Sequence, residues 1–145
     1  MNVATIKYYD IADGEGVRTA LFVSGCRRHC KGCHNKEAWD FNYGYPFTID
    51  IENKIIESLK PSYISGLSIL GGEPYEPENE IVLCSFLPKI TKSIWIYTGY
   101  KYDEIKDREL TKYASTIVDG EYIEDLKDVS LAFRGSKNQN IIRLK

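Results

Sequence analysis

The stretch Gly25-Cys26-Arg27-Arg28-His29-Cys30-Lys31-Gly32-Cys33-His34-Asn35 holds three of the chain's four cysteines, in the spacing C-x3-C-x2-C. Three thiolates on one short loop can converge on a single inorganic centre, and iron–sulfur clusters are usually held by four cysteine thiolates. The loop therefore leaves such a centre one ligand short. A metal centre with an open position is typical of a catalytic site rather than a structural one. The spacing thus predicts a cluster with one exchangeable iron.

Other uses of these cysteines stay open at the level of spacing. A zinc site would need a fourth ligand, which His29 or His34 could supply. A disulfide framework is typical of secreted chains with an even cysteine count, which makes it the least favoured interpretation here. The remaining cysteine, Cys84, lies in the apolar run Ile81–Leu87, so we interpret it as a small core residue rather than a ligand.

Composition limits the class of protein. The chain has 145 residues, of which 43% are hydrophobic and 28% charged, so we expect a single domain over residues 1–145. The net charge of −2 gives no electrostatic footprint for nucleic acid. No apolar run is long enough to span a membrane, and the start Met1–Lys7 lacks the apolar core of a signal peptide. We therefore expect a cytoplasmic protein with reduced thiols.

The cysteine loop directly follows a predicted strand at residues 17–25. Further strands are predicted at 67–70, 93–97, 115–118 and 141–144, with an extended segment at 1–10. Helices are predicted from Thr48 to Leu59, from Asn79 to about Ile90 with a kink or early end at Pro88, and from Tyr102 to Tyr113. A single helical turn is expected at 36–39.

Strands that alternate with helices predict an α/β fold with a mainly parallel sheet. A complete eight-fold barrel needs about 250 residues, so we expect a partial, open (β/α) barrel. Four predicted strands end in distinctive residues: Cys26 to Cys33, Gly71 to Pro74, Tyr97 to Tyr100, and Asp119-Gly120. The carboxyl ends of parallel strands share one edge of the sheet, which brings these segments to one site.

The segment Gly71-Gly72-Glu73-Pro74 is the second candidate site. Two glycines allow a ligand to approach the backbone closely, and the glutamate offers a carboxylate for an ammonium or hydroxyl group. Alone this signal is weak, because glycine pairs are common in turns. It gains weight because it lies at the same sheet edge as the cysteine loop.

Together, Cys26-x3-Cys30-x2-Cys33 and Gly71-Gly72-Glu73-Pro74 resemble the radical S-adenosylmethionine superfamily. The chain more closely resembles the activating component of anaerobic (class III) ribonucleoside-triphosphate reductase, and the resemblance covers nearly its whole length. The segments that carry it are Asp13-Gly14-Glu15-Gly16-Val17-Arg18, Cys33-His34-Asn35, Trp95-Ile96-Tyr97-Thr98-Gly99-Tyr100, Val118-Asp119-Gly120 and Phe133-Arg134-Gly135-Ser136-Lys137-Asn138-Gln139.

The resemblance implies a mechanism. Cys26, Cys30 and Cys33 would hold a [4Fe–4S] cluster whose fourth iron binds S-adenosylmethionine. One electron, from a low-potential donor such as flavodoxin, would cleave the cosubstrate. The resulting 5′-deoxyadenosyl radical would take a hydrogen atom from a glycine of the reductase and leave a glycyl radical there.

The resemblance also implies cosubstrate contacts. Gly71, Gly72 and Glu73 would bind the methionine amino end, and Gly32, Cys33 and His34 would lie near the adenine. Gly32 stands where many superfamily members carry an aromatic residue, so an adenine contact there must come from backbone or from His34. The roles of five further residues stay open: Tyr97, Asp119, Arg134, Asn138 and Gln139. Two alternatives remain, namely a glycyl-radical activase of the pyruvate formate-lyase type and a non-catalytic metal-bearing interaction module.

Overall fold

The computed structural model describes residues 1–145 and contains one open sheet of seven strands. In chain order the strands are β1 (Asn2–Asp10), β2 (Val17–Val23), β3 (Tyr45–Pro46), β4 (Ile64–Gly71), β5 (Ser93–Tyr97), β6 (Thr116–Asp119) and β7 (Asn140–Arg143). The helices are α1 (Ile49–Ser58), α2 (Pro77–Phe86) and α3 (Tyr102–Ile105). Short 3-10 turns cover Lys36–Trp39, Leu87–Lys89, Glu109–Tyr113 and Glu124–Leu126.

The sheet is parallel in its middle and antiparallel at both sides. The order is β3-β1-β2-β4-β5-β6-β7, and β2, β4, β5 and β6 pair in parallel. Strand β1 pairs antiparallel with β2, and β7 pairs antiparallel with β6. The mixed α/β class and the parallel centre are confirmed, whereas curvature into a partial barrel stays a prediction. None of the helices is long and apolar enough to cross a bilayer.

The main core lies on one face of the sheet. Alternate residues of the parallel strands, among them Leu21, Ile69 and Ile96, are completely buried with α1 and α2 residues such as Ile55 and Leu83. This alternation follows from the two-residue period of a strand. The burial of long apolar side chains on this face is the dominant stabilising term of the fold.

The helix predictions agree with the structure at the start of α1 and at the end of α2, whereas α2 begins at Pro77, two residues before the predicted Asn79. Thr48 Oγ1 accepts the Ile51 N–H at the start of α1, as predicted. Helix α2 stops at Phe86, two residues before Pro88. The third predicted helix is interrupted, because the Thr111 hydroxyl donates to the carbonyl of Ile105 at 2.7 Å and so ends α3 there.

A buried arginine explains the Asp13–Arg18 segment. Arg18 is 1% exposed, and its guanidinium donates to Ser68 Oγ at 2.9 Å and to the carbonyls of Leu67 and Glu15 at 3.0 Å. It thereby joins the turn before β2 to β4 on the second face of the sheet. Gly14 is required there, since a Cβ would lie 2.9 Å from Arg18 Cδ. This segment therefore supports the sheet beneath the predicted site.

Candidate active site

A cavity of about 220 Å³ lies where the central strands end. Its walls come from the loops after β2, β4, β5 and β6, as the parallel topology predicts. The predicted site residues that line it are Cys26, Cys30, Cys33, His34, Gly71, Gly72 and Glu73. The structure thus collects, in one place, residues from two segments about forty positions apart in the sequence.

The three loop cysteines are free, half-buried and share this cavity. The loop begins with two backbone bonds, from Gly25 N–H to Ala38 O at 2.7 Å and from Cys26 N–H to Trp39 O at 3.2 Å. In the structure the three thiols do not lie close enough together to form a ready-made metal site. Burial raises the pKa of Cys26, and it raises the pKa of Cys30 to about 11. Cationic iron is the kind of partner that converts such thiols to thiolates.

Cys84 behaves differently from these three. It lies on α2, packs against the main core and does not line the cavity. Burial raises the pKa of its thiol to about 11. Cys84 is only partly buried, so it lies at the edge of the core rather than in its interior.

The two glycines after β4 are required by the protein's own backbone. Gly71 has a φ of +120°, and a Cβ there would lie 2.5 Å from the backbone nitrogen and oxygen of Val23. A Cβ on Gly72 would lie 2.6 Å from the carbonyl oxygen of Gly25. The glycine pair predicts close approach of a ligand, whereas the crowding at both positions comes from the end of β2 and the start of the cysteine loop. Both glycines also line the cavity.

Glu73 connects two walls of the cavity. Its side chain is buried, and the carboxylate accepts hydrogen bonds from Thr98 Oγ1 at 2.7 Å, from the Gly99 N–H at 2.8 Å and from the Tyr75 N–H at 3.0 Å. Burial raises the pKa of Glu73, and these three hydrogen bonds oppose the rise. The carboxylate therefore fixes the loop after β4 to the loop after β5.

Gly32 and His34 occupy different positions. His34 lines the cavity, with its ring centroid 5.2 Å from that of Tyr122. Gly32 does not line the cavity, has a φ of +76° and leaves room for the Glu124 carboxylate, which any Cβ would hit. The structure therefore gives Gly32 a turn-forming role behind Cys33.

Three cavity residues carry buried polar atoms without a hydrogen-bond partner: Arg28 Nε, Trp39 Nε1 and Tyr97 Oη. All three can donate a hydrogen bond. Unpaired buried donors are rare in proteins because each costs free energy, so several around one cavity indicate a polar ligand with acceptor atoms. The sequence pattern does not single out Arg28 and Trp39, since nothing in their spacing distinguishes them from other loop residues.

Known proteins resemble this chain over almost its whole length. A family model described as a 4Fe-4S single cluster domain matches residues 12–142. The "Anaerobic ribonucleoside-triphosphate reductase-activating protein" of Pasteurella multocida is 40% identical, over 95% of this chain and 96% of that protein. The protein of the same name in Salmonella typhimurium is 41% identical, over 96% and 97%. The chain belongs to this family of activating proteins. A member from Enterobacteria phage T4 is 37% identical, over 97% of this chain and 93% of its own length.

Membership of the activating-protein family, together with the cluster-domain match, shows that this is an iron–sulfur protein. A [4Fe–4S] cluster is thus supported for the chain as a whole. The residues present fit such a group, because three free thiols face one cavity beside unpaired donors. The zinc and disulfide alternatives have no comparable support.

Of the residues whose roles stayed open, Tyr97 and Gln139 line the cavity, whereas Asp119, Asn138 and Arg134 lie in the adjoining segments without lining it. Asp119 accepts the N–H groups of Tyr102 and Asn140 at 2.8 and 3.2 Å. Gln139 accepts the N–H of Gly135 at 2.8 Å and donates to Gly120 O at 3.0 Å. Asn138 donates to Glu121 O, and Arg134 donates to Ala132 O. These contacts fold residues 120–139 against the end of β6.

Proposed function

We propose that this protein activates an anaerobic ribonucleoside-triphosphate reductase by generating a glycyl radical on it. Cys26, Cys30 and Cys33 hold the [4Fe–4S] cluster, and S-adenosylmethionine is the cosubstrate. When bound, the cluster would pass on one electron, received from a low-potential donor, for the reductive cleavage of the cosubstrate, and the adenosyl fragment would take a hydrogen atom from a glycine Cα of the reductase. All residues 1–145 act as one radical S-adenosylmethionine domain in the cytoplasm.

One observation carries the proposal. The three thiols line the same cavity as three unpaired buried donors, Arg28 Nε, Trp39 Nε1 and Tyr97 Oη. S-Adenosylmethionine offers carboxylate, ribose and adenine acceptors that suit such donors. The name shared by the relatives supports the choice of reductase as the substrate protein.

The chain's own residues position and shield the cosubstrate. The backbone of Gly71 and Gly72 with Glu73 receives the methionine amino end, and His34 and the backbone at Cys33 receive the adenine. Gly32 lies outside the cavity lining and forms the turn that orients Cys33. Glu73 keeps the two loops that enclose the cavity at a fixed separation, which excludes water from the reacting atoms.

Arg28 is the cationic group for the cosubstrate carboxylate. Its guanidinium lies over the Tyr100 ring at 4.5 Å, which fixes its plane while Nε stays free. We expect Arg28→Ala to weaken S-adenosylmethionine binding about tenfold or more, since a charge-assisted hydrogen bond is lost. Arg28→Lys should keep part of the affinity. Equilibrium dialysis against labelled cosubstrate measures this, with Arg134→Ala as the control outside the cavity lining. Equal affinity in Arg28→Ala and wild type would remove Arg28 from the proposed site.

The test of function is electron paramagnetic resonance on anaerobically reconstituted, reduced protein. A cluster signal that changes on addition of S-adenosylmethionine, followed by a glycyl-radical doublet when the reductase and a low-potential donor such as flavodoxin are added, is the expected result. A responsive cluster that gives no radical on this reductase but does so on pyruvate formate-lyase would favour the other activase. A cluster that ignores the cosubstrate would favour a non-catalytic module.

A further inference from the structure

The cysteine loop has little backbone attachment to the rest of the protein. Among residues 27–34, only one backbone hydrogen bond leaves the loop, from the Arg27 N–H to Glu76 Oε2 at 2.6 Å. The other backbone bond in this stretch, from the Cys33 N–H to Cys30 O, stays inside the loop. The position of the loop therefore depends strongly on Glu76.

Glu76 holds Arg27 through both of its carboxylate oxygens. While Oε2 accepts the backbone N–H, Oε1 accepts Arg27 Nη1 at 2.7 Å. The Glu76 side chain is only 6% exposed, whereas that of Arg27 is 59% exposed, so water screens the guanidinium end of the pair more than the carboxylate. The guanidinium also lies over the Phe41 ring at 4.5 Å and reaches the exposed Glu78. Arg27 is thus fixed at its backbone and at its side chain.

The backbone of Glu76 is itself rigidly placed. Its N–H donates to Glu73 O at 3.1 Å, and its carbonyl accepts the N–H groups of Asn79 and Glu80 at 2.8 Å at the start of α2. Glu76 therefore belongs to the structural unit that follows Gly71 and Gly72. Because Arg27 directly follows Cys26, the carboxylate joins the first cysteine to that unit.

We propose that Glu76 is the positioning residue for the cysteine loop: backbone bonds already hold Gly25 to Glu73 and Cys26 to Trp39, and Glu76 fixes the course of the chain immediately after Cys26, on its way to Cys30 and Cys33. This inference rests on the proposed role of the three cysteines as cluster ligands. Glu76 does not line the cavity and acts through Arg27. Residues that orient metal ligands in this way typically change metal affinity or activity 10- to 100-fold when they are replaced.

The test compares iron release from the reconstituted, full-length protein after mixing with a ferrous chelator under anaerobic conditions. We expect Glu76→Gln, which keeps the size of the side chain, to release iron about tenfold faster than wild type, and Glu76→Ala to release it faster still. Glu78→Gln is the matched control, since the exposed Glu78 bonds the same guanidinium through Nη1 and Nη2 but makes no bond to the loop backbone. Its release rate should stay within about twofold of wild type.

A second measurement separates positioning from general destabilisation. Glu76→Gln keeps an amide oxygen that still accepts one of the two Arg27 bonds, so the urea midpoint of the cluster-free protein should fall only slightly, by much less than the change in iron release would require. Equal iron release in the two proteins, or faster release only in proportion to a lowered urea midpoint, would overturn the inference. If the wild type itself assembles no cluster, the proposed function fails instead, so the two failures are distinguishable.

Discussion

Cys30→Ser is expected to abolish cluster assembly and radical generation, while Cys84→Ala leaves both intact. The serine hydroxyl is a poor iron ligand, and its loss leaves two thiolates on the loop. Replacement of residues that merely orient ligands costs 10- to 100-fold, so removal of a ligand should lower activity by more than about 100-fold. Iron and sulfide content after anaerobic reconstitution, together with the paramagnetic signal of the reduced protein, measure the effect.

The two cysteines make a close comparison. Burial raises the pKa of both thiols to about 11, so their ionisation does not distinguish them. They differ in location, since Cys30 lines the cavity and Cys84 packs on α2 against the core. Full iron content in Cys30→Ser, or loss of iron in Cys84→Ala, would contradict the proposed ligand set.

Glu73→Ala is expected to lower the free energy of unfolding by about 3 kcal/mol or more. The change removes one acceptor from three donors, Thr98 Oγ1 and the N–H groups of Gly99 and Tyr75. Each buried donor left without a partner costs about 1–3 kcal/mol. Glu73→Gln should cost less, because its amide oxygen still accepts part of these bonds. Urea unfolding of the cluster-free protein, followed by tryptophan fluorescence, gives the difference.

The control for this measurement is Glu57→Ala on α1. Glu57 is exposed and pairs only with Lys60 on the surface, so its replacement should change stability by less than about 0.5 kcal/mol. A loss in Glu73→Ala no larger than that of Glu57→Ala would show that the loops after β4 and β5 do not depend on the carboxylate.

Local patterns were sufficient for much of the fold. Strand β5 has the predicted bounds, and the cysteine loop follows β2, because β-branched and aromatic runs ended by glycine have a clear local signature. The sequence also predicted that the cysteine loop and the Gly71–Pro74 segment would share one sheet edge. That inference needed only the parallel order of the strands.

Other parts of the site depend on contacts between distant residues. The donors Arg28 Nε and Trp39 Nε1 become informative only once burial and missing partners are known. The crowding at Gly71 comes from Val23, a strand neighbour that the local sequence does not reveal. The sequence pattern likewise predicts a third helix that continues to Tyr113. The helix ends early, at Ile105, because the Thr111 hydroxyl donates a hydrogen bond to the Ile105 carbonyl.

The walls of the cavity are stabilised by different kinds of contact, and this difference affects how easily each wall can open to admit a molecule to the cavity. Within residues 121–139 only Ser136 is buried, and the segment is held mainly by polar bonds, with Phe133 stacked edge-on against Trp95. Stretches with few buried apolar contacts have the lowest free energies of local unfolding. This wall can therefore open while the parallel strands stay folded, so amide protons there should exchange with solvent ahead of those in β4.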